Sequence, residues 1–205
     1  KLDDRVRVIA GAAPEGFAVP TDDVGRRREL GIPDRYVLMA GGVAESDALA
    51  AGFSGVAASG TELPVVVIDA PEGEEPAIAE LAVAAGLPEG RVHVRPSLDD
   101  PDRAAVFGAA AAFVAPSRRT AFPWRVVEAL VLGAPVVAAD SPVHTEVVVD
   151  GGILAADQDA LAAGLSEALD SPAASKRLAV LAADRGRAFS WLDAANRVWE
   201  LHAEL

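Results

Sequence analysis

Residues 113–137, FVAPSRRTAFPWRVVEALVLGAPVV, constrain the fold of this chain more than any other stretch. The apolar run from Phe113 ends at Pro116 and reads as a short strand. The polar patch Ser117-Arg118-Arg119-Thr120 follows as a loop. From Pro123 to Leu132, the residues Val126, Val127, Leu130 and Val131 recur at helical spacing. Pro123 suits a first helical turn, where its missing N–H is no loss. Gly133 stops the helix, and Pro135 opens a second apolar strand, PVVAA. Strand, loop, helix and strand in this order make a βαβ crossover, which predicts a parallel sheet. The loop then falls at the carboxyl edge of the sheet, where open α/β sheets bind ligands. A helix N-terminus points to the same place and favours phosphate.

The rest of the chain repeats the alternation. Arg5–Ile9, RVRVI, predicts a short strand, and Thr21–Leu30 a helix that opens with a capping residue and two acids. Tyr36–Ala40 is apolar throughout, as a buried parallel strand should be. Gly41-Gly42 forms the first turn after it, and both close approach to a phosphate and a plain tight turn explain the pair. Helices are expected over Ala44–Ala58 and Gly73–Ala85, and strands over Leu63–Asp69 and Arg91–Val94. His93 reads as a strand residue rather than a catalyst. Asp99 caps a helix that runs to Ala111, and its acids lack the ligand spacing of a calcium loop. Further helices are expected over Asp157–Leu169, from Ser171-Pro172, and from Phe189-Ser190-Trp191 to the end. Trp191 and Trp199 read as core or packing aromatics.

Composition excludes several functions. A net charge of −13 argues against a nucleic-acid partner. The absence of Cys excludes disulfides and thiolate metal sites and fits a cytoplasmic protein. No apolar run approaches the roughly 20 residues of a membrane span. No basic segment with an apolar stretch and cleavage site opens the sequence. The chain starts at Lys1 without Met and is expected to be a piece of a longer protein. Lys1 and Lys176 are the only lysines, so a grip on phosphate must come from Arg or backbone amides. No G-x-G-x-x-G follows the first strand, which leaves a dinucleotide-dependent dehydrogenase a distant reading.

The central stretch resembles the donor-binding segment of the retaining glycosyltransferases of the GT-B fold, family 4 (group 1). That segment reads roughly P-S-x-x-E-G-F-G-L-x-x-x-E-A-M-A-x-G-x-P-V-V. Pro116, Ser117, Phe122, Glu128, Ala129, Gly133, Pro135, Val136 and Val137 match it without a gap. The resemblance runs on through Glu146, Gly151-Gly152-Ile153-Leu154 and the Phe189-Ser190-Trp191 opening of the last helix. It implies a Rossmann-like parallel sheet sandwiched by helices, the C-terminal half of a GT-B protein. Residues 1–20 would be a strand and linker from the missing N-terminal domain, residues 21–190 the nucleotide-sugar-binding domain, and residues 191–205 a helix returning toward the missing half.

By the same resemblance, Glu128 would hydrogen-bond the ribose hydroxyls of a nucleotide-diphosphate sugar. Thr120, Ala121, Phe122 and Trp124 would line the sugar and phosphate, Gly41 and Gly42 would approach the diphosphate, and Val94 would lie near the base with His93 and Arg95. No catalytic residue is assigned. No cofactor or metal is implied, since the nucleotide sugar is a substrate. The remaining partners would be an acceptor of unknown identity and the missing N-terminal domain, through which a membrane contact could be made. Four positions depart from the pattern. Thr120 replaces the first acid of the pair, Pro123 a glycine, and Gly42 and Asp47 the two basic residues that neutralise the diphosphate. Arg118, Arg119 and Arg125 flank the loop and are candidates to supply that charge. The expected function is transfer of a hexose by the whole protein, the alternative being a catalytically silent relative that serves as a scaffold.

Overall fold

The structure, a computed structural model, describes residues 6–203. Six strands form one sheet: β1 (Tyr36–Ala40), β2 (Val65–Ile68), β3 (Val92–Val94), β4 (Ala110–Ala115), β5 (Val136–Ala139) and β6 (Ile153–Ala155). Their order is β3-β2-β1-β4-β5-β6, and every neighbouring pair is parallel. The chain winds outward in one direction from β1 and then in the other from β4, so the strand order reverses between these two. The crevice over their carboxyl ends is where such a sheet opens.

Helices cover both faces: α1 (Asp23–Glu29), α2 (Leu49–Ala58), α3 (Glu75–Ala84), α4 (Asp100–Ala109), α5 (Trp124–Val131), α6 (Pro142–Val148), α7 (Gln158–Leu169), α8 (Pro172–Gly186) and α9 (Trp191–Ala203). The period-2 alternation of each strand divides the core into two. Leu38, Val66, Phe113 and Val136 face one cluster with Phe107 of α4 and Leu130 of α5. Val37, Met39, Val67 and Val137 face the other, with Phe53 of α2, Ile78 of α3 and Leu165 of α7. Tyr36 is fully buried on the first side and donates its hydroxyl to the Val106 carbonyl, which satisfies the one polar atom that the ring carries inward.

Several expected bounds shift, each for a local reason. No strand forms over residues 6–9, and Arg5 lies outside the described residues. A strand needs a partner, and neither sheet edge, β3 or β6, takes this segment. The helix expected from Ala44 begins only at Leu49, because Ala48 adopts a left-handed conformation (φ 56°) after a short 3-10 turn at Glu45–Asp47. Ala110 and Ala111 leave α4 and start β4, buried by the sheet despite the weak strand preference of alanine. Pro123 stands before α5 with ψ 72°, outside the first helical turn rather than in it.

The position of α5 depends on a close crossing with α8. A Cβ on Gly186 would lie 2.6 Å from the Leu130 carbonyl oxygen and 2.7 Å from Val131 Cα. Backbone cannot yield there as a side chain would. The variant Gly186→Ala should therefore lose about 1–3 kcal/mol in urea denaturation. Gly25→Ala, at an open α1 position with nothing near its Cβ, should gain roughly 0.5–1 kcal/mol in the same measurement.

Candidate functional site

Glu128 lies on the buried face of α5 with its side chain only 4% exposed. A carboxylate so placed requires partners. Arg103 of α4 grips it with Nε at 3.1 and 3.0 Å and Nη2 at 2.9 Å from the two oxygens. Arg125, one helical turn before Glu128, adds Nη1 at 2.9 and 2.8 Å. Each arginine is held in turn. Arg103 donates to the Leu98 carbonyl at 2.9 Å and to Asp100 at 2.6 Å, and its guanidinium lies 5.3 Å from the Phe17 ring centre. Arg125 donates through Nε to Asp69, just past β2, at 2.6 Å. Burial pulls the Arg103 pKa down, but the hydrogen bonds and charges of Glu128 and Asp100 outweigh it and raise the value, so the guanidinium stays charged. Three carboxylates and two guanidiniums thus form one chain across α4, α5 and the end of β2. Asp69 itself sits at φ 59°, and its Oδ1 is buried without a hydrogen-bond partner among the described residues.

A cavity of about 530 Å³ opens beside this chain at the carboxyl edge of the sheet. Glu128 and Arg125 form one part of its wall, Asp47 another, and Thr120, Phe122 and Trp124 a third. Phe122 meets Trp124 edge-on at 4.6 Å between centroids, and Trp124 stacks with Trp191 of α9 at 6.3 Å. Trp191 Nε1 donates to the Ala13 carbonyl at 2.9 Å, and a Cβ on Gly11 would strike Trp124 at 2.6 Å. The aromatic row therefore ties the N-terminal linker and α9 to the rim of the cavity.

His144 of α6 also lines the cavity and is 1% exposed. Its Nδ1 is 2.7 Å from the Ala139 carbonyl oxygen, which can only accept, so Nδ1 carries a proton. Burial pushes its pKa down, the carbonyl bond opposing this only in part.

The turn after β1 closes the remaining side. The Gly41 N–H donates to the Ile68 carbonyl at 2.9 Å. The Gly42 N–H donates to Asp47 Oδ2 at 2.7 Å, and the Val43 N–H to Glu74 Oε2 at 2.8 Å. Ser117 Oγ donates to the Ser46 carbonyl at 2.5 Å and links the 45–47 turn to the central loop.

The structure brings together only part of the set read from the sequence. Glu128, Thr120, Phe122 and Trp124 share the cavity wall. Arg125 is there too, yet committed to Asp69 and Glu128. Ala121 is exposed beside the wall. Arg118 turns away to the Ala156 carbonyl, and Arg119 is exposed. Gly41 and Gly42 sit in the turn with their amides engaged. Val94 lies in β3, two strands from β1, half-buried and not in the cavity wall. Trp191 is half-exposed and Trp199 is 71% exposed, so neither is a core aromatic. Sequence reasoning missed Arg103, Asp69, Glu74 and His144. An arginine between Asp102 and the apolar run AAVF was the available signal for the first. Among the described residues no group of three or more His, Cys, Asp or Glu could hold a metal ion, and no helix is long and apolar enough to cross a membrane.

His144 supplies a pH test. Its folded pKa lies below the ordinary value near 6.5, so as pH falls the unfolded chain takes the proton first and stability drops. The variant His144→Asn keeps a donor for Ala139 but cannot titrate. In urea denaturation the stability gap between wild type and His144→Asn should narrow from pH 7.5 to pH 5, and parallel curves would contradict the assignment.

Comparison with known proteins bears on the fold and the family. Residues 34–171 match the family described as Glycosyl transferases group 1. A curated relative, the MMP alpha-(1->4)-mannosyltransferase of Mycolicibacterium hassiacum, is 34% identical over 145 residues, which cover 65% of this chain and 33% of that protein. Among solved structures, Anabaena Alr3699/HepE in complex with UDP and glucose overlays with a TM-score of 0.80 at 20% identity, covering 97% of this chain and 57% of that one. The C-terminal domain of the group 1 glycosyltransferase LpcC from Francisella tularensis overlays at 0.67 and 17% identity, covering 85% of this chain and 96% of that domain. The sheet is thus that of a C-terminal GT-B domain, the chain spans about a third of the curated relative it matches, and it belongs to the group 1 glycosyltransferases.

Proposed function

We propose that this chain is the donor-binding domain of a retaining glycosyltransferase that moves a hexose from a nucleotide-diphosphate sugar to an acceptor. The observation that carries the reading is the cavity at the point where strand order reverses, with the Glu128 carboxylate in its wall beside the loop at residues 117–123. A ribose has two neighbouring hydroxyls, and a fixed carboxylate accepts from both. Arg103 would keep that carboxylate charged and aimed, and Arg125 would swing aside as the ribose enters. Thr120, Phe122 and Trp124 would face the hexose, the aromatic rings stacking on its apolar face. The curated relative is named a mannosyltransferase, which supports a hexose as the transferred group.

The acceptor side would come from the N-terminal half, as would any contact with a membrane. Leu192, Val198 and Trp199 of α9 are 71%, 55% and 71% exposed, and α9 buries no residue of its own. That half would cover them. The reaction would need no resident cofactor, since the transferred group arrives activated by its own diphosphate.

A second reading, a silent relative kept as a scaffold, is favoured by one specific observation. Glu128 and the turn amides already have partners within the chain, and a site so satisfied gains less from a ligand.

Calorimetric titration of the domain with UDP, GDP, ADP and their hexose conjugates separates the two. One nucleotide should bind at micromolar strength. Glu128→Gln should weaken it at least tenfold, about the worth of one charge-assisted bond, with the fold checked by circular dichroism. Thr120→Val should weaken the hexose conjugate and leave the bare diphosphate unchanged. Absence of binding by the folded domain would favour the scaffold.

A further inference from the structure

Successive backbone N–H groups in a turn form a concave site for anions. In the turn after β1 two successive amides meet anions that the chain itself supplies. Gly42 and Val43 each donate to a carboxylate, Asp47 at 2.7 Å and Glu74 at 2.8 Å. The carboxylates arrive from two elements, Asp47 from the short 3-10 turn and Glu74 from the residue that precedes α3. They lie directly against the backbone. A Cβ on Gly42 would fall 2.4 Å from Glu74 Oε2, and one on Gly41 would fall 2.8 Å from Asp47 Oδ2. Neither acid is in an ion pair among the described residues. Asp47 is itself part of the cavity wall.

We propose that Asp47 and Glu74 are specificity-determining residues that occupy the turn as resident anions and make the site discriminate against diphosphate. Each amide has one proton to donate, and it is already spent in a charge-assisted bond. An entering diphosphate must displace both carboxylates or lie beside them, and like charges a few ångströms apart repel strongly in a partly buried crevice. The nucleoside and the hexose carry no such penalty. The domain should therefore hold a nucleoside about as well as its diphosphate, the reverse of a site built on a basic turn. This rests on the reading of the cavity as a nucleotide-sugar site.

The test uses the near-isosteric double variant Asp47→Asn/Glu74→Gln, which keeps acceptors for both amides and removes both charges. Wild type and variant are titrated with UDP, GDP and ADP and with uridine, guanosine and adenosine at low ionic strength. The variant should bind one diphosphate at least tenfold more tightly than wild type, with the matching nucleoside unchanged within twofold, and the gain should shrink in 0.5 M salt. Wild-type binding of a diphosphate with no gain in the variant would overturn the inference and leave the donor-site reading standing. An equal gain for the nucleoside would also overturn it. Absence of every interaction in both proteins would overturn the inference and the reading together. If substitution together disturbs the fold, each single variant carries the same test with a smaller expected gain.

Discussion

The buried pair of Arg103 and Glu128 is the interaction on which the rest of the site depends. Two charges leave water together, on α4 and α5, and neither tolerates the loss of the other. Their bidentate geometry fixes the distance and rotation between the two helices. Through Arg125 and Asp69 the same chain of charges reaches the end of β2, so elements on both sides of β1 are held at one point. The cavity exists because α5 is held there, with the loop of residues 117–123 wrapped over its N-terminal end.

The apolar framework and the charged chain divide the work. Strands buried on both faces fix the sheet, and the close approach of Gly186 to the α5 backbone sets the far side of that helix. The charged residues then specify which way α5 presents its polar atoms. The aromatic row of Phe122, Trp124 and Trp191 does the third part, clamping the linker over the rim and leaving α9 to project an apolar surface outward.

Much of the fold was legible because it is local. The alternation of short apolar runs with capped helices predicts a parallel sheet, and residues 113–137 place its ligand edge and Glu128. What was not legible depends on pairing across distance. Arg103 meets Glu128 from 25 residues away, and nothing in the pattern around a well-capped α4 announces a bond to another helix. Asp47 reads as a departure at a basic position and Glu74 as part of a helix, and only the fold shows that their oxygens sit on the amides of one turn. Arg118 and Arg119 are candidates for phosphate by position alone, and the loop points one to the Ala156 carbonyl and leaves the other exposed. The tryptophans divide: Trp191 packs on Trp124 at the rim, while Trp199 stands exposed on α9.

A double-mutant cycle on Arg103 and Glu128, read by urea denaturation, tests this account most directly. Arg103→Met and Glu128→Leu should each destabilise by about 3–5 kcal/mol, because each leaves a buried charge with only its more exposed partner, Arg125 or Asp100, and the double variant should be no less stable than either single one. Additive losses, or single losses below about 1 kcal/mol, would show that the pair does not hold the site together.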